Sequence, residues 1–217
     1  MKKTTLSLLT LCLLAIAPSQ AQTFMNGILV SHAKTAGTIY LNDGSELTFP
    51  IIEIPANSDK TIKAKDENKN VQKFDAAEIH HLELWNEDMP DKHHILAYVP
   101  YDMPTMRNRM VWAAFVTQSE YLTLFILATT YAVDKQGRIA YFYQQGFVPI
   151  PILYDRHKEA YLVAYQTTSF GYNKKDIKRI QDFLQADPVM VDFLGTKEFK
   201  GREEDFVYIV DNYTPTY

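Results

Sequence analysis

Cysteine is almost missing from this chain. Its one example, Cys12, lies in an N-terminal stretch that reads as a secretory signal. Lys2 and Lys3 supply the charged end and Leu6 to Ala17 the apolar run. "SQAQ" then places small residues at Ser19 and Ala21, with the cut before Gln22. Cleavage there removes the thiol and excludes disulfides, thiol nucleophiles and zinc–thiolate sites from the mature chain. Lipidation of Cys12 is the rival reading, but Leu11 is too large for the position before a lipobox cysteine.

Glycine is scarce as well. The closest pair, Gly195 and Gly201, is six residues apart, so no G-x-G-x-x-G fingerprint fits. Walker-type, G-x-S-x-G and H-E-x-x-H patterns are also missing. Long apolar runs are lacking too. Leu6 to Ala17 is too short to cross a bilayer, and "TQSE" interrupts Met110 to Val133 at its centre. Positive charge is in deficit: 22 Lys and Arg face 26 Asp and Glu, a net charge of −4. The signal takes two lysines and no acids with it, which leaves −6. With no segregated basic face, that balance argues against nucleic acid as a partner.

Strand signals fill what remains. From residue 24 to 85, apolar stretches alternate with the turn signals "NDGS", "ANSDK" and "DENKN". Five short strands in this span predict a small, strongly bent antiparallel sheet or barrel. "NEDMPDK", Asn86 to Lys92, is polar and carries Pro90, and it reads as a linker. Ten of the 14 tyrosines then fall between Tyr98 and Tyr172, in stretches such as "RMVWAAFV" and "EAYLVAY" that read as strands. "DKQG", Asp134 to Gly137, is a further hairpin turn. "YVPYDMPTMRNRM" reads as a Pro-containing loop whose Tyr98 and Tyr101 cover a sheet edge.

The last part of the chain switches to helical spacing. Ile177, Ile180 and Leu184 share a face, with Asn173 and Asp176 as a cap and Asp187–Pro188 as a break. A short second helix then runs to Gly195. Phe206, Ile209, Val210 and Tyr213 share the face of a third, with Glu203, Glu204 and Asp205 in its first turn. There the helix dipole favours negative charge, so these acids read as helix stabilisers rather than a catalytic cluster.

The strand pair "LNDGSELTF" closed by "FDAAEIHHLEL" resembles a β module common in exported bacterial envelope proteins of unknown function. The tail "IQDFLQADPVMVDFLGTKEFKGREEDFVYIVDNY" is similar to the closing helices of the same group. The resemblance implies architecture and compartment, not chemistry. "DNYTPTY" departs from it by running several residues further.

Histidine is the one clustered chemistry. "IHHLELWNEDMPDKHHI" holds His80, His81, His93 and His94. Strand alternation puts His81, Glu83 and Trp85 on one face and His80, Leu82 and Leu84 on the other. His81, Glu83 and either His93 or His94 make a three-ligand zinc set only if two strands lie side by side. No fixed zinc spacing supports that, so exposed imidazoles at strand ends are the better reading. "DENKN" places Asp66, Asn68 and Asn70 like the first ligands of a calcium loop. Val71 and Ala77 stand where glycine and glutamate belong, so a hairpin is favoured.

The sequence therefore predicts an α+β protein. Its parts are a signal peptide at 1–21, a small N-terminal antiparallel β module at 22–85, a linker at 86–92, and a larger antiparallel sheet at 93–217 with two or three C-terminal helices packed on it. No residue is assigned a catalytic, cofactor or metal role. The expected function is a non-enzymatic binding or assembly module of the bacterial cell envelope. Its partner is an envelope protein or glycan, and its place the periplasm or surface of a Gram-negative-type bacterium. A metal-assisted hydrolase using the His81 region is the alternative. The chain is not expected to be an integral membrane protein.

Overall fold

The computed structural model describes residues 35–103, 106–143, 148–167 and 171–216. The signal peptide, Cys12 and the rest of the chain before Thr35 lie outside the described residues.

Thirteen strands come first in the described chain. They are β1 (Thr35–Leu41), β2 (Glu46–Phe49), β3 (Ile51–Ile52), β4 (Thr61–Lys65), β5 (Val71–Asp75), β6 (Ile79–Asn86), β7 (Met89–Met103), β8 (Met106–Gln118), β9 (Leu122–Leu127), β10 (Thr130–Val133), β11 (Ile139–Phe142), β12 (Ile150–Asp155) and β13 (Ala160–Val163). Three helices follow: α1 (Lys174–Phe183), α2 (Pro188–Leu194) and α3 (Glu203–Asn212). Eight strands form one antiparallel sheet in the order β13-β12-β9-β8-β7-β6-β1-β2. β3-β4-β5 and β10-β11 form two smaller antiparallel sheets. The α+β class and the C-terminal helices are as the sequence predicts.

Three hairpin turns share one plan. The amides of Gly44, Lys69 and Gly137 bond back to the carbonyls of Leu41, Asp66 and Asp134. Each donor residue has positive φ, at 91°, 65° and 68°. This is a type I turn closed by a left-handed residue. "DENKN" is thus a hairpin, and the Asp66 carboxylate accepts from the amide and side chain of its own Asn70.

Two segments differ from expectation. Residues 86–92, read as a linker, form the turn between β6 and β7 and the start of β7, with Asn86 opposite Met89. The turn-like composition is real, but the buried Asn86 holds the segment down by donating to the Asp134 carbonyl at 3.0 Å. As a result β1 and β6 belong to the same sheet as β7. The second segment is residues 98–110. Most of it lies not in a loop but in the long β7–β8 hairpin, where Tyr98 pairs with Trp112 and Tyr101 with Arg109. Pro100 is tolerated there opposite Met110 because β6 pairs with β7 only as far as Ala97, so no β6 residue needs its missing N–H.

The large sheet buries both faces in part. One face carries Ile39, Leu82, Leu84, Leu96, Trp112, Leu124 and Ile126, packed under the small sheets and the helices. We call it the helix face. Ile180 of α1 and its C-cap Leu184, Met190 of α2 and Phe206, Ile209 and Val210 of α3 all bury there. The other face curls until β13 lies against β7. Val99, Tyr101, Val111, Ala113, Phe125, Leu127, Ile152 and Val163 fill that half-barrel. Only the β7–β13 part of this barrel face closes on itself. Among the described residues, no strand closes over the β6-β1-β2 part.

α1 has the expected capping box between Asn173 and Asp176, and Asp187 caps α2 through the amides of Val189 and Met190. In α3, Asp205 accepts from the amides of Lys200 and Arg202 at 2.8 and 2.9 Å. Among the described residues, no helix is long and apolar enough to cross a membrane.

Candidate functional site

The register of β1, β6 and β7 builds a strip of side chains on the open part of the barrel face. Tyr40 lies opposite His81, Thr38 opposite Glu83 and Ala36 opposite Trp85. Ile95 lies opposite Glu83, which brings His93 beside Trp85. Pleating therefore gathers Tyr40, His81, Glu83, Trp85 and His93 from three strands.

Their contacts are specific. The rings of Tyr40 and His81 stack with centroids 4.2 Å apart, and those of Trp85 and His93 at 4.6 Å. Between the two stacks sits the Glu83 carboxylate. Tyr40 Oη donates to its Oε2 at 3.0 Å, and His93 Nδ1 meets its Oε1 at 2.8 Å. The second nitrogen of His93 donates to the Pro90 carbonyl at 2.6 Å.

Electrostatics follow from burial. Desolvation pushes the His81 imidazole down to about 4, and neighbouring His80 adds to the effect. Desolvation and the Glu83 carboxylate push the Tyr40 phenol up to about 12. His81 is thus neutral near pH 7 and Tyr40 keeps its proton.

The four sequence-flagged histidines separate into distinct roles. His80 stands at a bulge where the β1–β6 register shifts, exposed, with its Nδ1 2.7 Å from that of His81. His94 turns to the helix face and donates to the Gly137 carbonyl at 2.9 Å, clasping the β10–β11 turn. Of the predicted ligand set, Glu83 meets His93 directly, while His81 pairs with His80. Their arrangement does not favour a metal: both His93 nitrogens are committed, and His81 lies against a phenol. Among the described residues, no three His, Cys, Asp or Glu side chains form a metal-holding group.

Buried carboxylates serve the fold instead. Asp155, Asp176, Asp187 and Asp205 are all buried. Asp155 caps the β12–β13 turn through the amides of His157 and Lys158. Asp176 ties Thr167 to the start of α1, and Asp187 also takes the amide of Thr214. A buried carboxylate bonded to backbone amides is a clamp on chain direction.

Beside the strip lies a groove of about 840 Å³. It follows β2 from Glu46 to Pro50, with the Asp66–Asn68 turn opposite and Trp85 in its wall. Trp85 therefore belongs to both the strip and the groove. Sequence alternation already placed His81, Glu83 and Trp85 together. Tyr40 and the groove acids were not foreseen, because their proximity depends on how β1 pairs with β2 and β6.

Comparison with protein-family models, with curated proteins and with solved structures finds no match for this chain.

Proposed function

We propose that the mature chain is a non-enzymatic binding or assembly module of a bacterial cell envelope. A signal peptide at residues 1–21 would carry it to the periplasm or the cell surface. Its ligand is an envelope protein or glycan. The observation that supports this best is the Tyr40–His81–Glu83–His93–Trp85 strip. It offers aromatic faces and polar rims, held in place before any ligand arrives. Side chains already fixed by stacking and hydrogen bonds lose little entropy on binding. The same contacts occupy the groups an enzyme would need free.

The test is capture from a solubilised envelope fraction by immobilised chain 22–217. A Trp85→Ala, His81→Ala variant with a retained cooperative melt is the control. A partner or glycan held by the wild-type chain and lost by the variant supports the reading. Equal capture by both, or none by either, overturns it.

A further inference from the structure

The open side of β2 carries a more specific message. β2 ends the large sheet, and among the described residues no strand pairs with its outer edge. The ladder to β1 begins with the Leu41 amide on the Ser45 carbonyl. Antiparallel alternation then makes Tyr40–Glu46 and Thr38–Thr48 the pairs that do not bond to each other through the backbone. The 2.9 Å contact between the hydroxyls of Thr38 and Thr48 fits that closer kind of pair. The backbone groups of Glu46 and Thr48 therefore point away from β1, and both residues line the groove.

Natural sheets usually guard an edge with lysine, proline or a covering segment. Pro50 closes one end of this edge and the Asp66–Asn68 turn stands opposite, but no lysine or arginine lines the groove. The lining carries Glu46, Asp66, Glu67 and Glu87, and the apolar side chain of Leu47 is 37% exposed. Asp66 is bonded to Asn70, which holds its carboxyl below the usual range and keeps it charged. Four carboxylates with no cation among the lining residues set a negative potential along an edge that no described strand pairs with. That favours a positively charged partner and repels an acidic one.

We propose that the β2 edge takes an extended basic segment of a partner protein, which adds as a further antiparallel strand with lysine or arginine at alternate positions. Backbone hydrogen bonds to Glu46 and Thr48 supply register, and the four acids supply selectivity. Trp85 lines the wall, so the incoming strand reaches the edge of the strip. This deepens the binding-module reading and rests on it, selecting protein over glycan as the ligand.

The experiment uses isotope-labelled chain 22–217. The probe is a short peptide alternating lysine with threonine and valine. Two counterparts serve as controls, one with glutamate for lysine and one with alternate backbone nitrogens methylated. The lysine peptide should shift the amides of Glu46–Phe49, and added salt should weaken it. The two counterparts should leave those amides unchanged. A combined Glu46→Gln, Glu67→Gln, Glu87→Gln variant should keep its melting temperature and bind about tenfold more weakly. Equal binding of the glutamate or methylated peptide, shifts confined elsewhere, or an unaffected variant would each overturn the proposal. An envelope partner captured equally by that triple variant would overturn it too, while leaving the binding-module reading standing.

Discussion

The imidazole of His81 lies flat on the ring of Tyr40, with centroids 4.2 Å apart and planes 10° from parallel. That contact desolvates a group with a proton to gain, and burial pushes its titration down to about 4. The native state therefore binds this proton less readily than the unfolded chain. The stability that His81 contributes is complete above the unfolded value near 6.5 and is lost as pH falls toward 4. His81→Phe keeps a stacked ring and removes the titration. Between pH 7.5 and pH 5, urea unfolding should show the wild-type losing roughly 1–2 kcal/mol more than the variant. Parallel losses in the two proteins would mean that His81 is not desolvated by the stack.

Gly37 sits in the middle of β1, where its missing side chain lets three elements meet. A Cβ there would stand 2.5 Å from the Glu83 carbonyl and 2.8 Å from the Ile52 methyl of β3. The carbonyl is backbone in the neighbouring strand and cannot step aside without opening the β1–β6 ladder. Gly37→Ala should cost about 2–3 kcal/mol in equilibrium unfolding. It should also disturb the Tyr40–Glu83 contact, since Thr38 and Glu83 face each other one position along. A stability within ~0.5 kcal/mol of wild-type would show that the small sheet is less tightly seated than this geometry requires.

Phe206 is fully buried, with the rings of Phe199 and Tyr172 at 5.7 and 6.0 Å. α3 packs on β8 and β9, so the helix covers the centre of the large sheet. Phe206→Ala removes buried area and leaves a cavity, at a cost of about 3–5 kcal/mol. Thermal unfolding of the full mature chain measures this directly. A change below ~1 kcal/mol would make α3 an appendage rather than part of the core.

What was legible in the sequence follows from the range of each signal. The caps at Asn173, Asp176 and Asp187 and the turns at Asn42–Ser45 and Asp134–Gly137 are local, so composition alone places them. The helical face of Phe206, Ile209, Val210 and Tyr213 repeats within one element and was equally visible. The strip was half visible. Alternation gives His81, Glu83 and Trp85 a common face, but Tyr40 joins them only through β1–β6 pairing, across about forty residues of chain. Residues 86–92 misled because a tight hairpin and a linker use the same polar, Pro-containing composition. The difference lies in the bond from Asn86 to the Asp134 carbonyl, which no local pattern reports.

Glu203 shows two opposing effects of one position. In the first turn of α3, the helix dipole favours its charge by about 0.3–1 kcal/mol. Burial beside Glu204 disfavours that charge and pushes the carboxyl up to about 7 from an ordinary value of 4.5. At about 1.4 kcal/mol per pH unit, desolvation is the larger effect even after discounting for partial exposure. Glu203 is thus expected to weaken α3 when charged, whereas Asp205 stabilises its start through bonds to two backbone amides. Because the native state holds this proton more tightly than the unfolded chain, its stabilising effect is complete below pH 4.5. That effect is lost as pH rises through 7. Glu203→Gln mimics the protonated acid at every pH. It should match wild-type stability within ~0.5 kcal/mol at pH 4.5 and exceed it by roughly 1–2 kcal/mol at pH 8. His81 titrates in both proteins, so comparing the two at each pH isolates Glu203. Urea unfolding at the two pH values provides the measurement. A variant less stable than wild-type at pH 8 would show that the dipole wins and that the Glu203 carboxylate is solvated in the folded chain.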